Sequence, residues 1–399
     1  MKKDGWEIKR LGEVCEVIGG GTPSKTNSAF YSGDIPWATV RDMKSEIIRE
    51  TECCITPEAA KKSATNIIPS GNVVIATRVG LGKVCLLDQD TAINQDLRGI
   101  IPKSQKHLSV PFLFWWLKSI ANLIIAEGTG ATVQGVKLTF IKSLDVPIPP
   151  LSEQQRIVGI LDEAFDGVAT AKANAEKNLS NASELFNAWL NSVFSQRGDG
   201  WVNQQKQLID LCELIVDCEH KTAPTQNEGI PSIRTPNIGK GRLILDGVYR
   251  VSEKTYHEWT RRAEPRAGDL IMAREAPAGN VAVIPENIKL CLGQRTLLLR
   301  PKTDIFDPEF LAFYLLQPEI QSKLLAHSRG ATVQHVNMKD IRALEISTIP
   351  LLSIQRDIVS TIKIIETESE KLSQLYRQKI EALDALKQSI LHQAFSGAL

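Results

Sequence analysis

The sequence predicts an α+β chain in which two α/β domains are separated by two long antiparallel helices forming a coiled-coil spine, related by an internal pseudo-two-fold repeat. Three observations predict this. The pentapeptide Gly-Ala-Thr-Val-Gln occurs at residues 130–134 and again at 330–334, an offset of 200, and self-similarity at a fixed spacing marks a duplicated architecture. Residues 152–195 contain no proline and place apolar side chains every three or four positions, the period of one helix face. The 399 residues exceed the usual domain length, so more than one domain is expected.

The repeat extends well beyond the pentapeptide. Ile141 and Leu144 match Ile341 and Leu344, Ile148-Pro149 matches Ile349-Pro350, and Leu151-Ser152 with Ile157-Val158 matches Leu352-Ser353 with Ile358-Val359. Upstream, Cys15-Glu16 aligns with Cys212-Glu213, residues 71–75 with 268–272, and Phe112-Leu113 with Phe310-Leu311. The division that follows is a first domain over 1–150, a first long helix over 151–197, a second domain over 198–350 and a second long helix over 351–399.

Within 1–149 and 200–350, short apolar runs such as residues 73–76 and 281–284 are broken by Gly and Pro, which reads as short strands and turns. Gly19-Gly20-Gly21 reads as a turn, since Pro23 prevents a helix from following at once. The first helix is expected to start at Ser152 as N-cap, with Gln155 three residues on completing a capping box. Its apolar face runs from Ile157 through Leu161, Phe165, Leu185 and Phe186 to Val193. The second starts at Ser353 and runs through Ile362, Leu372, Leu386 and Phe395 to Gly397. About 40 helical residues span about 60 Å, longer than a 150-residue domain is wide. Each helix therefore needs a partner along its length, and the other copy supplies one; folding back on its own domain is the alternative.

The composition excludes several classes. Lysine plus arginine is 47 against 46 aspartate plus glutamate, a net charge of +1, so no uniform basic coat exists, although local patches remain open. By segment the net charge is +3 over 1–150, −3 over 151–199, +1 over 200–350 and zero over 351–399. No apolar run is long enough to span a membrane, and the opening residues lead into charged sequence, so a cytoplasmic location is expected. Seven cysteines are too few for a disulfide scaffold. Cys212, Cys218 and His220 come nearest to a metal pattern, but their spacing and missing fourth ligand argue for ordinary packing; no metal is expected.

Catalytic motifs are missing from the sequence. Residues 80–84, Gly-Leu-Gly-Lys-Val, lack the first glycine and the hydroxyl of a phosphate-binding loop, no dinucleotide fingerprint is completed, and the six histidines have no paired metal spacing. There is also no Asn-Pro-Pro-aromatic or Asp-Pro-Pro-aromatic tetrapeptide of the kind that holds an extruded adenine. Any base chemistry must belong to another chain, and this one is expected to be non-catalytic.

What the domains do offer is polar and basic clusters in Gly/Pro-rich loops, suited to phosphate oxygens and base edges. In the first half these are Thr22, Ser24, Lys25, Arg41, Arg78, Asn94 and Gln95. In the second they are His220, Lys221, Thr222, Arg234, Thr235, Asn237, Arg274, Gln294 and Arg295. Gln95 aligns with Gln294, and Arg78 falls one position from Arg274.

Three stretches make the chain recognisable: IPPLSEQQRIVGILD at 148–162, its degenerate echo IPLLSIQRDIV at 349–359, and the closing SILHQAFSGAL at 389–399. With the two-half organisation, they resemble the specificity subunit, HsdS, of type I restriction-modification systems along the whole chain. The resemblance implies two inverted target recognition domains, each reading half of a split double-stranded DNA target, with the helices setting a fixed spacer. It also implies docking of two methyltransferase subunits, joined in the full enzyme by motor-nuclease subunits. No cofactor is then expected on this chain; S-adenosylmethionine belongs to the methyltransferase partner. Glu153, Gln154, Gln155, Gln355 and Arg356 at the helix starts are the candidate partner contacts. The second motif has Ile354-Gln355-Arg356 in place of Glu-Gln-Gln, so docking at the two helices is expected to differ. Half-sites on one face of B-DNA lie about 34 Å apart, which suits a rigid spine, and replacing Leu185 and Phe186 by charges is expected to disrupt it. The alternative function is a two-headed adapter that joins proteins without reading sequence.

Overall fold

The computed structural model describes residues 5–129, 135–196, 198–326 and 334–399. Except for Gln334, both copies of the repeated pentapeptide lie outside the described residues. The chain forms two units, Met1–Lys177 with Tyr376–Leu399 and Asn178–Leu375. This grouping differs from four consecutive segments: the long helices, Leu151–Ser195 and Leu352–Ser396, each contribute to both units.

In the first unit, strands Cys15–Gly19, Leu97–Pro102, Val73–Ala76, Val84–Leu87 and Ile47–Ile48 lie side by side in that order. The first three pairings are antiparallel and the last is parallel. A second, four-stranded sheet contains Ile35–Ala38 and Thr91–Ile93 paired in parallel, and Glu7–Arg10 pairs antiparallel with Asp145–Ile148. Helix Val110–Ser119 carries Phe112, Trp115 and Trp116 into a core shared with both long helices. There Ile157, Leu161 and Phe165 meet Leu391, Ala394 and Phe395; Trp115 packs 4.8 Å from Phe165, and Phe112 packs 5.2 Å from Phe395. Further along, Lys172 Nζ lies 2.7 Å from the Asp384 carboxylate. Rising numbers on one helix meet falling numbers on the other, so the two run antiparallel.

The second unit repeats the plan. Its main sheet orders Cys212–Asp217, Thr296–Pro301, Leu270–Ala273 and Val281–Val283, all antiparallel. Ile230–Ile233 and Cys291–Leu292 form the matching parallel pair, and Trp201–Gln207 pairs with Glu345–Pro350. Helix Pro308–Leu315 buries Phe310 and Leu311 against Phe194, Val359 and Ile362 of the long helices. The Ser369 hydroxyl donates to the Ala182 carbonyl at 3.0 Å, so this pairing is antiparallel too.

The aligned residues occupy equivalent places. Gly71 and Gly268, just before equivalent strands, both have left-handed backbones, with φ of 72° and 82°, where a side chain is strained. Cys15 and Cys212 each open an edge strand, and burial pushes both thiols up to about 12. All seven cysteines are free.

Two local expectations need correction. Ser152 lies inside the first turn, because the helix begins at Leu151 and the amides of Glu153 and Gln154 donate to the Pro150 carbonyl. Leu185 is 67% exposed, whereas its neighbour Phe186 packs on the second unit's core, as does the buried Phe194 in place of Val193. One residue rotates the helix by about 100°, enough to carry a side chain off a narrow face. Accordingly Leu185→Asp should shift stability by less than about 0.5 kcal/mol, whereas Phe186→Asp should cost about 2 kcal/mol, read from urea unfolding midpoints.

Candidate nucleic-acid interface

A cleft of about 940 Å³ opens in the first unit, and Thr22, Lys25, Arg41, Asn94 and Gln95 all line it. Its geometry begins with Gly20 and Gly21. A side chain on Gly20 would meet the Asn94 carbonyl at 2.2 Å, and one on Gly21 would meet the Ala64 backbone at 2.5 Å. Only glycine lets the loop lie this close, and the Gly21 carbonyl accepts from Trp37 Nε1 at 3.2 Å and from the Thr65 hydroxyl at 2.9 Å. Thr22 is thereby delivered to the opposite loop, where its hydroxyl donates to Gln95 Oε1. Tyr31 and Trp37, in edge-to-face contact at 5.8 Å, provide an aromatic wall.

The same link recurs in the second unit, where the Thr222 hydroxyl donates to Gln294 Oε1 at 3.2 Å. These links fix both glutamines, and Gln95 Nε2 in turn donates to the Asp96 carboxylate at 3.4 Å. Around these matching links the side chains differ. His220 Nε2 lies 3.2 Å from Asp217, the Arg234 guanidinium sits 5.1 Å from the centre of the Tyr249 ring, and Lys221 and Arg295 are exposed. Ser24, exposed in the first unit, pairs with the Thr26 hydroxyl. Arg41, in the turn Val40–Asp42, is exposed, and Thr235 begins the equivalent turn Thr235–Asn237.

Five candidates are corrected by their surroundings. Asn94 is buried, its Oδ1 accepting from the Asp96 amide and its Nδ2 donating to the Asp96 carboxylate. Asn237 caps its turn, accepting from the Arg234 amide and donating to the Ile244 carbonyl. Arg274 points inward, with Nη1 2.6 Å from Asp217 and Nε donating to the Val336 carbonyl. Gln154 and Gln355, placed among partner contacts by the sequence, are fully buried. Gln154 accepts from the Ser109 amide and hydroxyl and donates to the His107 and Pro149 carbonyls. Gln355 accepts from the Asp307 amide and donates to the Ile305 and Pro350 carbonyls. These two seal the start of each long helix to its own unit and present nothing to a partner. Of the rest, Gln155 and Arg356 are exposed, and Glu153 is half-buried, 2.7 Å from Arg156.

Sequence reasoning missed the carboxylates. Arg78 Nε lies 3.6 Å from Asp96, and Arg295 Nη1 lies 2.9 Å from Glu275. Among the described residues no group of three or more His, Cys, Asp or Glu side chains is placed to hold a metal, and no helix is long and apolar enough to cross a membrane.

The comparisons with known proteins agree with this duplicated plan. The MjaIX specificity subunit of Methanocaldococcus jannaschii, a type I restriction enzyme, is 29% identical over 270 residues, covering 63% of this chain and 62% of that one. The EcoR124I/EcoR124II specificity subunit of Escherichia coli is 36% identical over 167 residues, 40% of this chain and 41% of its own. In these matches the alignment thus spans less than two thirds of the relative's length. Among solved structures, a chain from work on complex assembly and conformational transition of the type I R-M system superposes with a TM-score of 0.78, at 21% identity and full coverage of both chains. The HsdS subunit of Thermoanaerobacter tengcongensis gives 0.62, also at 21% identity, covering 100% of this chain and 98% of that one. These two share its fold. The model of the type I restriction modification DNA specificity domain matches twice, over residues 3–179 and 200–382, and with one copy in each half the chain belongs to that family.

Proposed function

We propose that this chain is the specificity subunit of a type I restriction-modification enzyme, a non-catalytic cytoplasmic component that reads an asymmetric, split target on double-stranded DNA. The observation that carries the reading is the Thr–Gln link, present on equivalent loops of both units but surrounded by different side chains. Equivalent placement supports a shared task, and different surroundings support different half-sites. Thr22, Ser24, Lys25, Arg41, Arg78 and Gln95 serve the first half-site. His220, Lys221, Thr222, Arg234, Thr235, Gln294 and Arg295 serve the second.

Two methyltransferase subunits dock on the chain, with Glu153, Gln155 and Arg356 among their contacts, and motor-nuclease subunits join in the full complex. The methyl donor, S-adenosylmethionine, is held by the methyltransferase, which extrudes its target base from the duplex. Near-neutral charge fits a subunit whose phosphate contacts are shared with partners.

Selection of duplexes from a random pool by the full chain tests this reading. The expected result is two unlike short motifs separated by a constant gap. Recovery of unselected sequence would favour an adapter without sequence readout.

A further inference from the structure

The two units carry one ion pair with its charges exchanged. In the first, Arg78 stands two residues beyond the strand Val73–Ala76 and faces Asp96, the residue after Gln95. In the second, the residue two beyond Leu270–Ala273 is Glu275, and it faces Arg295, the residue after Gln294. The backbone fixes the equivalence. The Thr77 amide donates to the Asp96 carbonyl at 2.8 Å, and the Arg274 amide to the Arg295 carbonyl at 2.9 Å. Likewise the Val136 and Val336 amides donate to the Thr77 and Arg274 carbonyls.

Both arginine side chains remain about half exposed, 49% for Arg78 and 58% for Arg295, next to the glutamines held by Thr22 and Thr222. Asp96 and Glu275 are only 17% and 32% exposed, so each pair does tie its loops together, but that attraction is the same in either order of charge and gives no reason for the polarity to differ between the units. Phosphate binding gives none either, because a carboxylate within 4 Å of the guanidinium repels a phosphate. Base edges suit the pair: arginine is bidentate to guanine O6 and N7, and a carboxylate accepts from cytosine N4.

On the reading that this chain recognises DNA, we propose that Arg78–Asp96 and Arg295–Glu275 are specificity-determining pairs. Each reads one G·C base pair of its half-site, and the order of the charges sets which strand carries the guanine. The carboxylate orients the guanidinium before DNA arrives; in the first unit Asp96 is itself held by Asn94 Nδ2 at 3.1 Å.

The test is random-pool selection with the full chain, comparing the unmodified protein with R78D/D96R and E275R/R295E. Each exchange should invert one G·C position in one half-site, leave the other half-site unchanged, and weaken binding to the original duplex by about tenfold to a hundredfold. Since Asp96 has an internal partner, Arg78→Ala provides a second route, expected to relax that same position without inverting it. An unchanged consensus overturns the inference. So does a uniform loss on all duplexes with a shallower salt dependence, the mark of a phosphate contact. If the unmodified chain selects no split motif, the recognition reading itself fails, which is a separate outcome.

Discussion

Gln154→Ala and Gln355→Ala are each expected to destabilise their own unit by about 4 kcal/mol. The Gln154 side chain has no exposure and makes four hydrogen bonds, two accepted from Ser109 and two donated to the carbonyls of His107 and Pro149, at 2.7–3.1 Å. Truncation leaves those groups buried and unpaired, at about 1–3 kcal/mol each before water refills part of the space. Gln355 holds the Asp307 amide and the Ile305 and Pro350 carbonyls in the same way. Native-state hydrogen exchange provides the readout. Protection should fall in Val110–Ser119 for the first variant and in Pro308–Leu315 for the second. Unchanged protection together with loss of partner binding would return these residues to a docking role.

Leu391→Asp should be as damaging, and in the unit that sequence position alone would not indicate. Leu391 lies in the second repeat, yet it is 2% exposed within the first unit's core, beside Phe112, Phe165 and Ala394. Burying a carboxylate there costs about 4 kcal/mol or more through lost apolar contact and desolvation. Exchange protection should drop in Val110–Ser119 and persist in Pro308–Leu315. The opposite pattern would show that the closing helix belongs to the second unit.

Much of this architecture was legible in the sequence because it depends on local periodicity and on repetition. The long helix over 152–195 with its stripe from Ile157 to Phe165, the matching cysteines 15 and 212, and the glycines before the strands at 73 and 270 sit as their pattern implied, although the stripe's far end turns on Phe186 and Phe194 and leaves Leu185 outside. The interface was less legible. Asn94 and Asn237 look like free polar side chains in a string of letters, but both close turns in their own loops. Arg78 and Arg274 sit one position apart in the aligned blocks, and that single residue matters. The counterpart of Arg78 is Glu275, whose partner, Arg295, lies 20 residues further on and meets it only through strand pairing.

The letters alone were enough for the duplication, the two long helices, the presence of short strands between turns and the loops that carry polar side chains. Each of these follows from interactions between residues near one another in the chain or from direct repetition. Only the three-dimensional packing buries Gln154 and Gln355 while leaving Gln155 exposed. Apart from the carbonyls of Pro149 and Pro350, the partners of the two buried glutamines lie 45–50 residues away, and a polar triplet at a helix start otherwise reads as solvated surface. It also decided which half of each long helix serves which unit, and which arginines remain available. Burial and charge pairing are set by what the fold brings within a few ångströms, and chain position does not encode that distance.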